Sequence, residues 1–262
     1  MSASPIGIFD SGIGGTSVWK EINKLLPGES TLYLADSKYA PYGHRSKAEI
    51  LGLSIKNTEL LLKNGCKLIV VACNTATTNA IDHLRRHYPL PFIGIEPAIK
   101  PAAIHTRTGA VGILATGGTL SSELFHKTAK LYARGITVIE QTGEGLVPLI
   151  EAGKIHTPEM RGLLKKYLTP MIDSHIDHLV LGCTHYPYLI PEIRRILPGT
   201  VTLINSGEAV ARQTRAVLEK EKLLNPGTTL ASHQFYSNLD ASLLSRFLED
   251  IKTEITVSFL DF

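Results

Sequence analysis

Short apolar runs alternate with longer amphipathic stretches from one end of the chain to the other. The apolar runs are IGIFD (6–10), TLYLAD (31–36), KLIVVAC (67–73), FIGIE (92–96), AVGILAT (110–116), TVIEQ (137–141), HLVLGC (178–183), VTLIN (201–205) and ASHQFYS (231–237). Many carry consecutive Val, Ile and Leu with no polar alternation, as strands buried on both faces do. Between them, apolar residues recur at helical spacing over 16–26, 46–64, 75–87, 120–133, 158–173 and 207–219. Doubly buried strands alternating with helices predict an α/β fold with mostly parallel sheet.

The order of the runs contains a repeat. IGIFDSG (6–12) aligns with VGILATG (111–117), an offset of 111 − 6 = 105. LIVVACNTA (68–76) aligns with LVLGCTHYP (179–187) with Cys73 on Cys183, an offset of 183 − 73 = 110. Nearly equal offsets in two independent motif pairs predict two similar α/β domains related by pseudo-twofold symmetry, with the active site in the cleft between them. The expected division is 1–97 for the first domain, completed by 208–262, and 98–207 for the second. The joins fall at the Pro-rich EPAIKP (96–101) and at NSGEA (205–209).

In parallel sheets, ligands gather at the carboxyl ends of the strands. Those ends read Asp10-Ser11, Asp36-Ser37, Cys73-Asn74-Thr75, Glu96, Thr116 and Cys183-Thr184-His185. They form a polar ring on otherwise apolar strands.

Composition narrows the class of protein. Of 262 residues, 44% are hydrophobic and 19% charged, which excludes disordered and fibrous chains. The net charge of +3 is small, and basic pairs such as Arg85-Arg86 and Arg194-Arg195 sit in separate helical segments. No nucleic-acid partner is expected. No apolar run approaches the roughly 18 residues of a membrane span, and MSASPIGIFD carries no basic-then-apolar leader, so a cytoplasmic chain without membrane partner is expected. Three cysteines without a CxxC make neither a disulfide framework nor a zinc ribbon.

The cysteines therefore invite a chemical reading. Cys73 and Cys183 each end a strand, and a thiol entering a helix meets unsatisfied N–H groups that favour thiolate. Two thiols at matched positions of facing halves would flank one small ligand. One could take an α-proton as thiolate while the other delivers a proton to the far face, which is what a racemase needs. Against this, each cysteine alone reads as a small buried hydrophobe, and a zinc site of Cys73, Cys183 and His185 is conceivable. Cys66 begins its strand without polar company and is expected to be inert.

The loop DSGIGG (10–15) supplies glycines for close backbone approach and N–H groups suited to an anion. As a dinucleotide fingerprint it lacks the third glycine, which is Ser17, although Asp36 after the second strand fits that reading. A small amphoteric ligand fits better, its ammonium near Asp10 and its carboxylate on backbone N–H groups and hydroxyls, with Thr116 and Thr119 of ATGGT as counterparts. ADSKYAPYGHR (35–45), with Pro41-Tyr42-Gly43, reads by composition as a lid or a surface loop, and its position after a strand end favours the site. His185 could act as acid, as a tuner of Cys183 or as a carboxylate partner. His83 and His87 lack the Glu of HExxH and are expected at the surface, and Glu151 in IEAGK (150–154) is a lone carboxylate.

FDSGIGG (9–15), APYG (40–43), ACNTAT (72–77) and LGCTHYP (181–187), in this order and spacing, resemble the glutamate racemases of the cofactor-independent aspartate/glutamate racemase superfamily. The resemblance runs over nearly the whole chain. It implies interconversion of L- and D-glutamate without pyridoxal phosphate, other cofactor or metal, supplying D-glutamate for peptidoglycan. It implies acid/base thiols at Cys73 and Cys183, assisted by Asp10, Glu151 and His185. Substrate-binding pairs are implied at Asp10-Ser11, Tyr42-Gly43, Asn74-Thr75 and Thr184-His185, with Asp36 a weaker correspondence. A homodimer is the expected assembly. Some members carry an N-terminal extension tied to activation by a peptidoglycan precursor; with FDSGIGG beginning at residue 9, that regulation is not expected here. Rival readings are an aspartate racemase or other isomerase of the superfamily, an NAD-type oxidoreductase, and a non-catalytic amino-acid-binding module.

Overall fold

The computed structural model describes residues 4–95, 98–227 and 230–262. Glu96, one of the strand ends above, and the start of the 96–101 join lie outside these residues. The strands are β1 (Ile6–Asp10), β2 (Thr31–Ala35), β3 (Leu68–Val71), β4 (Phe92–Gly94), β5 (Ala110–Ala115), β6 (Thr137–Thr142), β7 (His178–Gly182), β8 (Thr202–Ile204), β9 (His233–Ser237) and β10 (Ile255–Phe259). The helices are α1 (Thr16–Leu25), α2 (Lys47–Lys63), α3 (Asn74–His87), α4 (Ile99–His105), α5 (Gly117–Leu120), α6 (Glu123–Tyr132), α7 (Leu146–Glu151), α8 (Pro158–Asp173), α9 (Ile190–Arg194), α10 (Gly207–Lys220) and α11 (Ala241–Arg246).

Two sheets form, both parallel throughout. One has the order β10-β9-β2-β1-β3-β4 and the other β6-β5-β7-β8. Remove β9 and β10 and the two orders are the same, central strand against central strand. The registers repeat the sequence offsets. Ile6 pairs with Leu68 in the first sheet and Val111 with His178 in the second, so β1 maps to β5 at 105 and β3 to β7 at 110. The α/β fold with two like halves is thus present in the hydrogen bonding itself.

Burial explains why these strands were readable. Every residue of β1, β2, β3 and β5 is buried, and helices cover both faces. α1 turns Val18, Trp19 and Ile22 inward at helical spacing and packs on α10. α2 starts at a capping box, where Ser46 and Glu49 satisfy each other's backbone N–H. α8 starts at Thr157, whose hydroxyl accepts from Met160 N, with Pro158 in the first turn.

Some expectations need adjustment. The helix read over 120–133 starts later, as α6 at Glu123, because Ser122 caps it by accepting from Phe125 N, while Leu120 ends the one-turn α5 before it. IEAGK, the stretch of the lone carboxylate, begins inside α7, and Glu151 is the last residue of that helix. β10 went unread. ITVSF is an edge strand with its burial broken by exposed positions, so it lacks a continuous apolar run.

Candidate active site

In each sheet the chain leaves the first strand for one neighbour and later returns to the other side, creating the crevice where ligands bind in open α/β sheets. Four strand ends lead from these crevices into one cavity. β1 supplies Ser11, β3 supplies Cys73, Asn74 and Thr75, β5 supplies Thr116, and β7 supplies Cys183, Thr184 and His185. Pro41, Tyr42 and Gly43 of the 35–45 loop and Val147 of α7 complete the lining. The cavity is narrow at about 10 Å³, room for roughly one water.

The two thiols differ in their surroundings. Cys73 is the N-cap of α3. Its Sγ accepts from Ala76 N at 3.4 Å, and its thiol faces Ser11 Oγ at 3.7 Å. The sequence expectation of a thiolate here is overturned. Burial pushes the Cys73 thiol well above its ordinary range and the Asp10 charge adds to this, while the helix N–H and Ser11 only partly offset them. Cys73 is held as a thiol.

Cys183 is followed by no α-helix start; a turn leads into a 3₁₀ segment at Tyr186–Leu189. Its partner is instead an imidazole. His185 Nδ1 lies 3.7 Å from Cys183 Sγ, and His185 Nε2 lies 2.5 Å from Glu151 Oε1. Burial pulls the His185 pKa down, but its contacts with Cys183 and Glu151 outweigh this and hold it well above the ordinary value. His185 is thus an imidazolium, one N–H facing the sulfur and the other the carboxylate.

Glu151 and Asp10 stand behind the lining. The Glu151 carboxylate also accepts from Ile13 N at 2.8 Å and from Ser37 Oγ at 3.2 Å. Asp10 is fully buried, accepts from Gly15 N at 2.7 Å and faces the Thr184 hydroxyl at 3.4 Å. Burial raises its pKa to about 6, against the lowering effect of His185 and of the Gly15 N–H. Of the DSGIGG N–H groups expected to meet an anion, those of Ile13 and Gly15 are taken by the protein's own carboxylates. The glycines instead permit contact. A Cβ on Gly12 would strike the Glu151 carboxylate, and one on Gly14 would strike the His185 ring.

Threonine hydroxyls join the two halves on another side of the cavity. Thr75 Oγ1 lies 2.8 Å from Thr116 Oγ1 and 3.3 Å from Thr119 Oγ1, and Thr116 and Thr119 are 3.0 Å apart. Thr119 faces its fellow hydroxyls and does not line the cavity. The Tyr42 hydroxyl likewise points away from the cavity, donating to Asp36.

Cys66 is buried against Gly7 with its thiol pushed up to about 12 by burial, far from this cluster. His83 and His87 stack on α3, with ring centroids 3.9 Å apart. Among the described residues, no three His, Cys, Asp or Glu side chains are grouped so as to hold a metal ion, and no helix is long and apolar enough to cross a membrane. Two lining residues escaped the sequence reading. Pro41 lay in the loop that its position assigned to the site but was not itself singled out, and Val147 is an apolar residue on a short helix, indistinguishable in sequence from any core valine.

Known proteins resemble this chain over most of its length. The family described as Asp/Glu/Hydantoin racemase matches residues 6–214. A glutamate racemase of Herpetosiphon aurantiacus is 43% identical over 254 residues, covering 97% of this chain and all of that protein. The structure of Escherichia coli glutamate racemase in complex with L-glutamate and the activator UDP-MurNAc-ala superposes with a TM-score of 0.86 at 33% identity, covering 97% of this chain and 99% of that one. The Francisella tularensis glutamate racemase in complex with D-glutamate superposes at 0.84 with 28% identity, covering 98% of each chain. With its matched strands, paired cysteines and nearly full-length likeness to these proteins, the chain belongs to the Asp/Glu/hydantoin racemase family, among its glutamate racemases.

Proposed function

We propose that the protein interconverts L- and D-glutamate by a two-base mechanism in which Cys73 and Cys183 act on opposite faces of the α-carbon. The observation that carries this reading is the placement of both thiols in one cavity at equivalent strand ends of two like halves. The lobes in this reading are 1–97 with 208–262, and 98–207.

The surroundings of the two thiols divide their roles. Cys183 faces an N–H of the His185 imidazolium, which can hydrogen-bond to its sulfur. Cys73 is held protonated by burial and by Asp10. Cys183 takes the α-proton of one enantiomer and Cys73 gives its proton to the other face of the carbanion. For the opposite enantiomer the roles reverse: Cys73 must lose its proton, with the Asp10 carboxyl buried in the same cluster as the nearby base, and the His185 imidazolium returns a proton to Cys183. Glu151 keeps His185 charged and oriented. The substrate ammonium and carboxylates are read by Ser11, Asn74, Thr75, Thr116 and Thr184 and by the backbone of Tyr42-Gly43, with Asp10 and Thr119 supporting from behind.

A cavity with room for about one water does not admit glutamate, so the lobes part to take substrate and close over it. Closure excludes water, which strengthens every charge interaction inside and protects the carbanion. The same reading makes the protein a cytoplasmic homodimer supplying D-glutamate for peptidoglycan. Its direct test is the circular-dichroism signal of L-glutamate incubated with the protein and no added cofactor. Decay of the signal to zero supports the reading, and an unchanged signal refutes it.

A further inference from the structure

Behind Tyr42, on the side away from the cavity, lies a buried polar cluster in which residues from distant parts of the chain meet. Its centre is the Asp36 carboxylate, which is fully buried. One oxygen, Oδ2, accepts from the Tyr42 hydroxyl and from Asn57 Nδ2 at 3.2 Å. The other, Oδ1, accepts from Lys56 Nζ at 2.8 Å and from Asn238 Nδ2 at 2.5 Å. The same two donors also reach the Phe262 backbone oxygen, each at 3.2 Å.

Asn238 does more than donate. Its Oδ1 accepts from Lys38 N at 2.9 Å, so it pins the backbone of the 35–45 loop as well as the Asp36 side chain. Among the described residues Lys56 is the one cation paired with Asp36, and its ammonium lies near two aromatic rings, with Nζ 4.4 Å from the Tyr39 ring centre and 5.0 Å from that of Phe262. A buried carboxylate that loses its cation either takes up a proton or shifts toward water. Either change alters the acceptor on which the Tyr42 hydroxyl rests, and Tyr42 and Gly43 form a wall of the cavity.

We propose that Lys56 and Asn238 are positioning residues of the active site, acting through Asp36 to hold the Tyr42-Gly43 wall at the distance that grips substrate. Neither touches the cavity, and neither belongs to the sequence motifs that mark the site. The segment carrying Asn238 and Phe262 thereby bears on substrate binding although it lies far along the chain from the thiols. The proposal rests on the glutamate reading above. A wild-type protein inactive on glutamate would refute that reading alone and would show itself before any variant is made.

The test is a double-mutant cycle between Lys56→Met and Tyr42→Phe, followed by circular dichroism with L-glutamate. Lys56→Met is expected to raise KM about tenfold with kcat changed less than about threefold, a displaced wall costing binding more than chemistry. In the Tyr42→Phe background, which lacks the hydroxyl linked to Asp36, the same substitution is expected to raise KM less than about threefold, because contacting residues couple. Asn238→Ala should show the same dependence on the Tyr42 hydroxyl, and it stands in should Lys56→Met fail to fold. Equal KM increases in both backgrounds, or a loss of kcat with KM unchanged, would overturn the proposal.

Discussion

His185 Nε2 lies 2.5 Å from Glu151 Oε1, while the Nδ1 of the same ring faces Cys183 Sγ at 3.7 Å. Sulfur, imidazole and carboxylate thus stand in line. Cys73 has no such line, only a helix N–H and a serine hydroxyl. Pseudo-symmetry of the fold therefore does not extend to the proton chemistry.

Glu151→Gln removes the carboxylate and keeps the shape. The His185 pKa should fall, leaving a smaller fraction of imidazolium to face Cys183. We expect kcat/KM to drop by up to about 100-fold, the lower range of positioned acid–base catalysis. The drop should be equal for both enantiomers, since an equilibrium constant of one ties the two directions together. Progress curves from pure L- and pure D-glutamate check both points.

Gly14→Ala should reproduce part of that loss by a different route. The added Cβ meets the His185 ring, so the imidazole must move off the line between Cys183 and Glu151. Overpacking of this kind costs about 1–3 kcal/mol. A lowered melting temperature together with a lowered kcat is expected. An alanine variant with wild-type kcat would mean that the ring's position does not matter.

Asp10 makes a prediction about pH. Its folded pKa, raised to about 6 from an ordinary 3.8, means that the native state binds this proton more tightly than the unfolded chain. Its contribution to stability is therefore fully present below about pH 4 and is lost as pH rises through 6, by about 3 kcal/mol in all. Asp10→Asn should remove that decline, raising the melting temperature at pH 7 by a few degrees while lowering racemisation. Denaturation midpoints from pH 4 to 8 measure it. A steeper decline in the Asn variant would contradict the assignment.

What the sequence disclosed follows from what sequence records well. Cys73 and Cys183 were legible because doubly buried parallel strands are unbroken apolar runs, so the first polar residue marks the end of the strand. The registers Ile6–Leu68 and Val111–His178 made the repeat legible for the same reason. Glu151 was not legible from its surroundings in the chain. Its partners Ile13 and Ser37 lie 138 and 114 residues away, and only folding brings them together. The thiolate expected at Cys73 was wrong because a helix N–H is a local signal, whereas burial and the Asp10 charge are tertiary.

Cys73→Ser and Cys183→Ser should each lower racemisation about 10²- to 10⁴-fold, since a hydroxyl is a far weaker acid than a thiol. Both variants should keep the wild-type far-UV spectrum. Near-normal turnover in either one would remove that residue from the chemistry.

The most direct test of two bases on two faces is racemisation of L-glutamate in D2O, stopped at low conversion and read by mass at the α-carbon of each enantiomer. With separate thiols, the D-glutamate formed carries deuterium from its first appearance, while the remaining L-glutamate stays protiated. D-glutamate that retains protium, or L-glutamate that gains deuterium as fast as product forms, would contradict the account.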